Sequence, residues 1–268
     1  MRDDPQPPTD AHRWTRDRWS RDGDALSLLR SRPAPCPVRF DAAPEPVIAD
    51  LSRAAFVIID MQNDFLSPEG WFATARGADP APLAAPIAAI NALAPAFRAL
   101  GAPVIHVNWG VRADGADLPA NVLDKGSDCG ARPGYTDRIA SGRVLVDGAW
   151  GAASDPRIGT DPRDIHVSKT RLSGFRNSPL DQVLRRLGVD TLFYAGVNLD
   201  RCVFATLMDG CFEGYDAVLV EDACATVSPP GVAASIHYLV RLLYGSTAHS
   251  DALLPALQAA APASSPAP

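Results

Sequence analysis

The run AAFVIID (residues 54–60) governs how the rest of the chain is read: six apolar residues without a polar break, then one acid. A strand with one wet face alternates polar and apolar residues, whereas an unbroken apolar run of this length suits a strand covered on both faces. VIHVN (104–108), residues 165–168, LFYAGV (192–197) and AVLV (217–220) have the same character. Between them lie amphipathic stretches predicted as helices: Pro82 to Leu100, Leu180 to Leu187, Asp200 to Gly214 and Gly231 to Tyr244. A last helix is predicted over Asp251 to Gln258, with Ser250 as its N-cap. Repeated strand–helix–strand units predict an α/β fold: a doubly wound, mainly parallel sheet with helices on both faces. Ligands of such sheets bind at the carboxyl ends of the strands. That places Asp60, Asn108 with Trp109, Lys169 and the turn from Gly196 to Cys202 at the expected crevice.

The flanks read differently. Residues 1–50 hold 8 of the 25 prolines and the mixed-charge stretch HRWTRDRWSRDGD, and are read as an N-terminal extension outside the core. Trp14 and Trp19 with Leu26, Leu28 and Leu29 are expected either to form one short helix packed on the domain or a neighbouring subunit, or to stay disordered. Residues 51–258 form the predicted domain, and the Ala-, Pro- and Ser-rich residues 259–268 a disordered tail. The connection from Trp109 to Arg163 is far longer than a usual loop and is expected to cover a site.

The chain has 268 residues, 47% of them hydrophobic and 21% charged, with a formal net charge of −6. That composition belongs to a soluble globular protein, and the acidic balance argues against nucleic acid or an anionic membrane as a partner. No apolar run reaches the roughly 18 residues of a membrane span, and MRDDPQPPTDAHRW (1–14) has no apolar core of a signal peptide. The five cysteines are odd in number and lack C-x-x-C spacing, so reduced thiols and a cytoplasmic location are expected. Neither G-x-G-x-x-G nor G-x-x-x-x-G-K-[ST] occurs, and there is no G-x-S-x-G or H-E-x-x-H. The histidines are scattered at 12, 106, 166, 237 and 249, so no metal site and no cofactor are predicted.

Three ionisable groups fall at three separate strand ends: Asp60, Lys169 and Cys202. An acid, an amine and a thiol can make a nucleophile, the carboxylate taking the thiol proton while the ammonium stabilises developing negative charge. Only Lys125 and Lys169 are lysines among the 25 basic residues, and arginine cannot supply a compact ammonium. Cys202 falls where a strand hands over to a helix, and free N–H groups there are expected to lower its pKa. The plainer reading of a cysteine on an apolar helix face is a small buried hydrophobe, which is assigned to Cys211 and Cys224. Cys36 and Cys129 lie in loop-like segments. Asp60 as a helix cap or metal ligand, and a Cys–His pair using His106 or His166, stay open; both histidines are otherwise expected to be satisfied core residues.

VIIDMQNDF (57–65), SKTRLSGFRNSPLD (168–181) and GVNLDRCVFATLMDGCFEGYDAVLVEDACAT (196–226) resemble, in this order, the isochorismatase-like cysteine hydrolases over roughly residues 51–258. The resemblance implies a six-stranded parallel sheet and an Asp-Lys-Cys triad at Asp60, Lys169 and Cys202. It also implies a cis peptide at Val197–Asn198, with the backbone N–H groups of Asn198 and Cys202 as an oxyanion hole. Its K-x-R-x-S-G-F and N-[ST]-P-L-D elements are similar to those of the ureidoacrylate, biuret and triuret hydrolases, which implies a small amide or ureide substrate. Two departures stand out: Leu172 replaces a typical Tyr, and Leu199-Asp200-Arg201-Cys202-Val203 replaces T-N-V-C-V. Nicotinamidase relatives carry a metal-binding Asp-x-His after the first strand, and no histidine lies between Asp60 and His106. Phe65, Trp71, Asn108, Trp109, Phe175 and Arg201 are the candidates for substrate contact. The resemblance further implies a homo-oligomer, a dimer or tetramer. A vinyl-ether hydrolase of the isochorismate type, whose members generally lack the cysteine, and a non-catalytic binding protein on the same fold are the competing readings.

Overall fold

A computed structural model describes residues 19–30 and 33–261. Six strands form one sheet: β1 (Ala54–Ile59), β2 (Val104–Trp109), β3 (Ile165–Lys169), β4 (Thr191–Val197), β5 (Asp216–Ala225) and β6 (Gly245–Ala248). Their order is β6-β5-β4-β1-β2-β3, and every neighbouring pair is parallel. The sheet is doubly wound: the chain builds outward from β1 to one edge at β3, then returns beside β1 and builds to the other. Five of these strands coincide with the apolar runs. The sixth, GSTA, carries no such signal because its four residues are small or polar.

Helices α1 (Ile87–Ala99) and α5 (Ser250–Ala260) cover one face, where Phe97 stacks on Phe56 at 4.8 Å and meets Phe193 edge-on at 5.0 Å. Helices α2 (Leu180–Leu187), α3 (Phe204–Phe212) and α4 (Val232–Leu239) complete the winding. The helix predicted from Pro82 is interrupted before α1: a short turn, Ala81–Ala84, precedes Pro86, which lacks an N–H and crowds the preceding turn. The predicted segment from Asp200 opens as a π-helical turn, Leu199–Val203, before α3, and the one ending at Tyr244 closes with another, Val240–Tyr244. Ser250 is the first residue of α5 and His249 occupies the cap; Ser250 binds the Asp222 carboxylate instead, its N–H at 2.8 Å.

The N-terminal reading needs two corrections. Residues 20–27 form a hairpin, Ser20–Asp22 with Ala25–Ser27, turning at Gly23 with φ +61, so the expected helix is absent among the described residues. Trp19, Leu26, Leu28 and Leu29 are exposed and do not pack on the domain; Trp14 and residues 262–268 of the predicted tail lie outside the described residues. A second hairpin, Pro37–Phe40 with Val47–Asp50, buries Val38, Phe40 and Ala49 in the main core. Ala43 and Thr247 exchange backbone hydrogen bonds at 2.8 and 2.9 Å, which ties this hairpin to β6. The folded unit therefore begins before Leu51, and prolines that read as an extension punctuate a packed hairpin. No helix among the described residues is long and apolar enough to cross a membrane.

Gly196 lets β4 approach β1. Its φ is +116, and a Cβ there would lie 2.0 Å from the Ile59 carbonyl oxygen. Gly196→Ala is expected to lower unfolding free energy by about 3 kcal/mol through backbone overpacking, read by urea denaturation; a loss within 0.5 kcal/mol or so, the range of surface substitutions, would contradict this.

Candidate active site

Strand register brings the three candidate groups together. Ile59 lies opposite Gly196 and Val107, and Trp109 lies opposite Lys169, so the chain leaves the sheet side by side at Asp60, Lys169 and Asn198. Asp60 turns away in the left-handed region (φ +53), which Asp tolerates better than most residues. Lys169 Nζ is 3.0 Å from Asp60 Oδ2 and donates to the Arg171 carbonyl at 3.1 Å. It also sits 3.9 Å from the centre of the Trp109 ring. Cys202, in the π-helical turn after the cis Val197–Asn198 peptide, faces the same carboxylate. All three side chains are buried.

Electrostatics correct one expectation. Burial, reinforced by the Asp60 carboxylate, pushes the Cys202 thiol up to about 12, and Lys169 offsets this only in part. Desolvation of a thiolate therefore outweighs the helix-terminal N–H groups expected to lower the pKa. Burial also raises the Asp60 carboxyl, while Lys169 and Cys202 oppose the shift. A thiol raised in this way needs a base within reach, and Asp60 lies beside it. The 240 nm thiolate absorbance of wild type minus Cys202→Ala is expected to stay flat from about pH 6 to 10. A step near neutrality would show a preformed thiolate.

The motif after β1 fastens the long connection over this end of the sheet. Gln62 accepts the Trp109 N–H at 2.9 Å and donates to the carbonyls of Trp109 and Ala152, each at 2.7 Å. Asn63 donates to the Trp150 carbonyl at 2.8 Å. The buried Asp64 carboxylate accepts N–H groups from Trp71 at 3.1 Å and Leu145 at 2.8 Å. Gly151 passes so close that a Cβ would lie 2.1 Å from that carboxylate. Arg171 donates to the Asp117 carbonyl at 2.6 Å. Held this way, the connection delivers Tyr135 against Trp109 at 5.0 Å and Trp71 at 5.5 Å. The Tyr135 hydroxyl feels Cys202 and Asp60 as well as the cations of Arg76 and Arg201.

The remaining sequence candidates divide. Trp109 joins the triad. Asn108 does not: side chains alternate along a strand, and Asn108 points to the α1 side, donating to Ser154 Oγ at 3.0 Å. There it lines a cleft of about 560 Å³ with His106, His166 and Ser168, which none of the three triad residues lines. Phe65 and Trp71 form an aromatic cluster with Phe72 that backs Tyr135. Phe175 is a core residue, packed on Tyr215 at 5.5 Å. Arg201 is part-exposed beside the nucleophile turn, 3.8 Å from Asp200 and bonded to Ser228 Oγ at 3.3 Å. His106 is buried against Asp164 at 3.1 Å, whereas His166, expected in the core, is exposed and stacked on it. Lys125 is an exposed residue of the connection. Among the described residues no group of three or more His, Cys, Asp or Glu side chains is arranged to hold a metal ion.

Residues 54–250 match the Isochorismatase domain. The chain belongs to the isochorismatase family. It is 34% identical over 213 residues to a ureidoacrylate amidohydrolase RutB of Azorhizobium caulinodans, covering 76% of this chain and 90% of that relative. A RutB of Rhizobium rhizogenes is 32% identical over 234 residues, covering 84% and 92%. Among solved structures, an isochorismatase family protein from Desulfovibrio vulgaris superposes with a TM-score of 0.62 at 32% identity, covering 77% of this chain and 98% of that one. The N-carbamoylsarcosine amidase of Thermoplasma acidophilum superposes with a TM-score of 0.57 at 27% identity, covering 74% and 97%. Gln62 and Tyr135, both in contact with Trp109 beside the triad, are the residues that pattern reading missed. Gln62 lies inside the DMQNDF signal; Tyr135 lies in a connection without periodicity.

Proposed function

We propose that this isochorismatase-family hydrolase is a cysteine-dependent amidohydrolase, cleaving a C–N bond of a small ureide, carbamoyl-type or amide substrate through a thioester. The observation that carries this reading is the geometry: a buried Cys202 faces the Asp60–Lys169 pair at the strand ends. The names of the amidohydrolase relatives support the substrate class.

Asp60 takes the proton from Cys202 Sγ, and the thiolate adds to the substrate carbonyl carbon. Negative charge moves to the carbonyl oxygen, where the backbone N–H groups of Asn198 and Cys202 are the proposed donors. First-turn N–H groups have no acceptor within their own helix. Collapse breaks the C–N bond while Asp60 returns its proton to the departing nitrogen. Water then adds to the thioester, giving up a proton to Asp60, and the acid leaves as Sγ recovers it. Arg201 lies in the nucleophile turn and Tyr135 packs on Trp109, and Arg201 suits an acidic or carbonyl-rich substrate. A homo-oligomeric state belongs to the same reading.

The test is ammonia release by purified protein from ureidoacrylate, biuret, triuret, carbamoyl amino acids and nicotinamide, run beside Cys202→Ala. Release from a ureide that depends on the sulfur supports the proposal. Vinyl-ether hydrolysis that survives in Cys202→Ala would replace it.

A further inference from the structure

Trp109 was expected to touch substrate, yet it is 1% exposed and its ring face is turned to the Lys169 ammonium. We infer that Trp109 is a positioning residue: its π face holds Lys169 as a cation beside Cys202 while Asp60 changes charge. The inference rests on the cysteine reading above and assigns the indole a part in generating the nucleophile.

Lys169 is 0% exposed, so its charge is out of reach of bulk solvent. Its resident partners are the Asp60 carboxylate at 3.0 Å, the Arg171 carbonyl at 3.1 Å and the Trp109 ring centre at 3.9 Å. When Asp60 takes the thiol proton it becomes neutral and its attraction for the ammonium falls away. The quadrupole of the ring and the carbonyl dipole do not change during that transfer. They hold the ammonium in place to face the new thiolate, and a desolvated cation over tryptophan is the strongest form of this contact.

The structure around the ring is built to fix it. Gln62 holds both the N–H and the carbonyl of Trp109, at 2.9 and 2.7 Å, and its amide is fully buried. Tyr135 packs on the indole at 5.0 Å and an interplanar angle of 54°. The pairing of Trp109 with Lys169 across β2 and β3 places ring and amine on the same face of the sheet.

The test follows carbamidomethylation of Cys202 by iodoacetamide at fixed alkaline pH, measured by peptide mass, and needs no substrate. It compares Trp109→Leu and Trp109→Phe in two backgrounds: wild type and the neutral pair Asp60→Asn/Lys169→Met. In wild type, Trp109→Leu is expected to slow alkylation about tenfold and Trp109→Phe about threefold. In the neutral background, where no ammonium remains, both are expected to fall within about twofold of the parent. Equal losses from Trp109→Leu in the two backgrounds would show a packing role and overturn the inference, as would Phe that rescues no better than Leu. Because iodoacetamide reports on the thiol alone, failure to find a ureide substrate leaves this result interpretable, and the reverse also holds. Thermal unfolding of each variant confirms that the rates come from folded protein.

Discussion

Cys202→Ala is expected to abolish thiol-dependent turnover, lowering kcat/KM for the best ureide by about 10⁴-fold or more, as loss of a covalent nucleophile does. The size follows from the chemistry: without sulfur no thioester forms, and Asp60 is left to activate water at a distance set for a thiol. The substitution removes one buried atom from a site 5% exposed and leaves no unpaired charge, so the protein should remain folded. Near-infrared or visible probes are unnecessary; ammonia release and a far-UV spectrum suffice. A loss below about tenfold with the fold intact would exclude covalent catalysis at this sulfur.

Lys169→Met is expected to cost both activity and stability. It strands the Asp60 carboxylate, 1% exposed, with no countercharge, a change worth about 3–5 kcal/mol in comparable buried pairs. The pH dependence has a definite sign. Burial raises the Asp60 pKa in the folded protein above its unfolded value, and loss of the ammonium raises it further. A raised carboxyl favours folding at low pH, where it is protonated in both states, and loses that contribution as pH rises through the folded pKa. The stability deficit of Lys169→Met should therefore be largest near neutrality and shrink as the solution is acidified, measured by urea unfolding against wild type at each pH. Asp60→Asn added to Lys169→Met should restore most of the loss, because a neutral pair leaves no buried charge. A pH-independent deficit, or no recovery in the double variant, would show that Asp60 is not held as a carboxylate by Lys169.

The sheet was legible where burial on both faces wrote itself as uninterrupted apolar residues, as in AAFVII and LFYAGV. GSTA was silent because small and polar residues write no apolar run, and the packed hairpin at 37–50 was hidden by prolines that serve its turns. Asp60, Lys169 and Cys202 could be found because each lies at or just past the carboxyl end of a strand, and parallel strands end together. Between Asn108 and Trp109, strand alternation already allowed only one to face the triad. Choosing it required the register that sets Trp109 against Lys169. The thiol pKa went the other way from the sequence expectation because a helix terminus is a local feature, whereas desolvation depends on everything packed around the sulfur. Tyr135 had no local signal; its place follows from where Gln62, Asn63 and Asp64 pin a chain more than 80 residues downstream, as the spacing of Asp64 from Leu145 shows.

Those three adjacent side chains make the long connection over the strand ends a detachable unit. They grip backbone atoms of residues 145–152, two carbonyls and one N–H, and bonds to backbone atoms are indifferent to what side chains the gripped residues carry. Side chains between the grips that do not touch Trp109 or Arg171 are free to vary in composition while the reacting groups stay in register. A library that varies the side chains of residues 112–144 other than Asp117 and Tyr135, with DMQNDF and Gly151 left untouched, would vary substrate choice without rebuilding the chemistry beneath it.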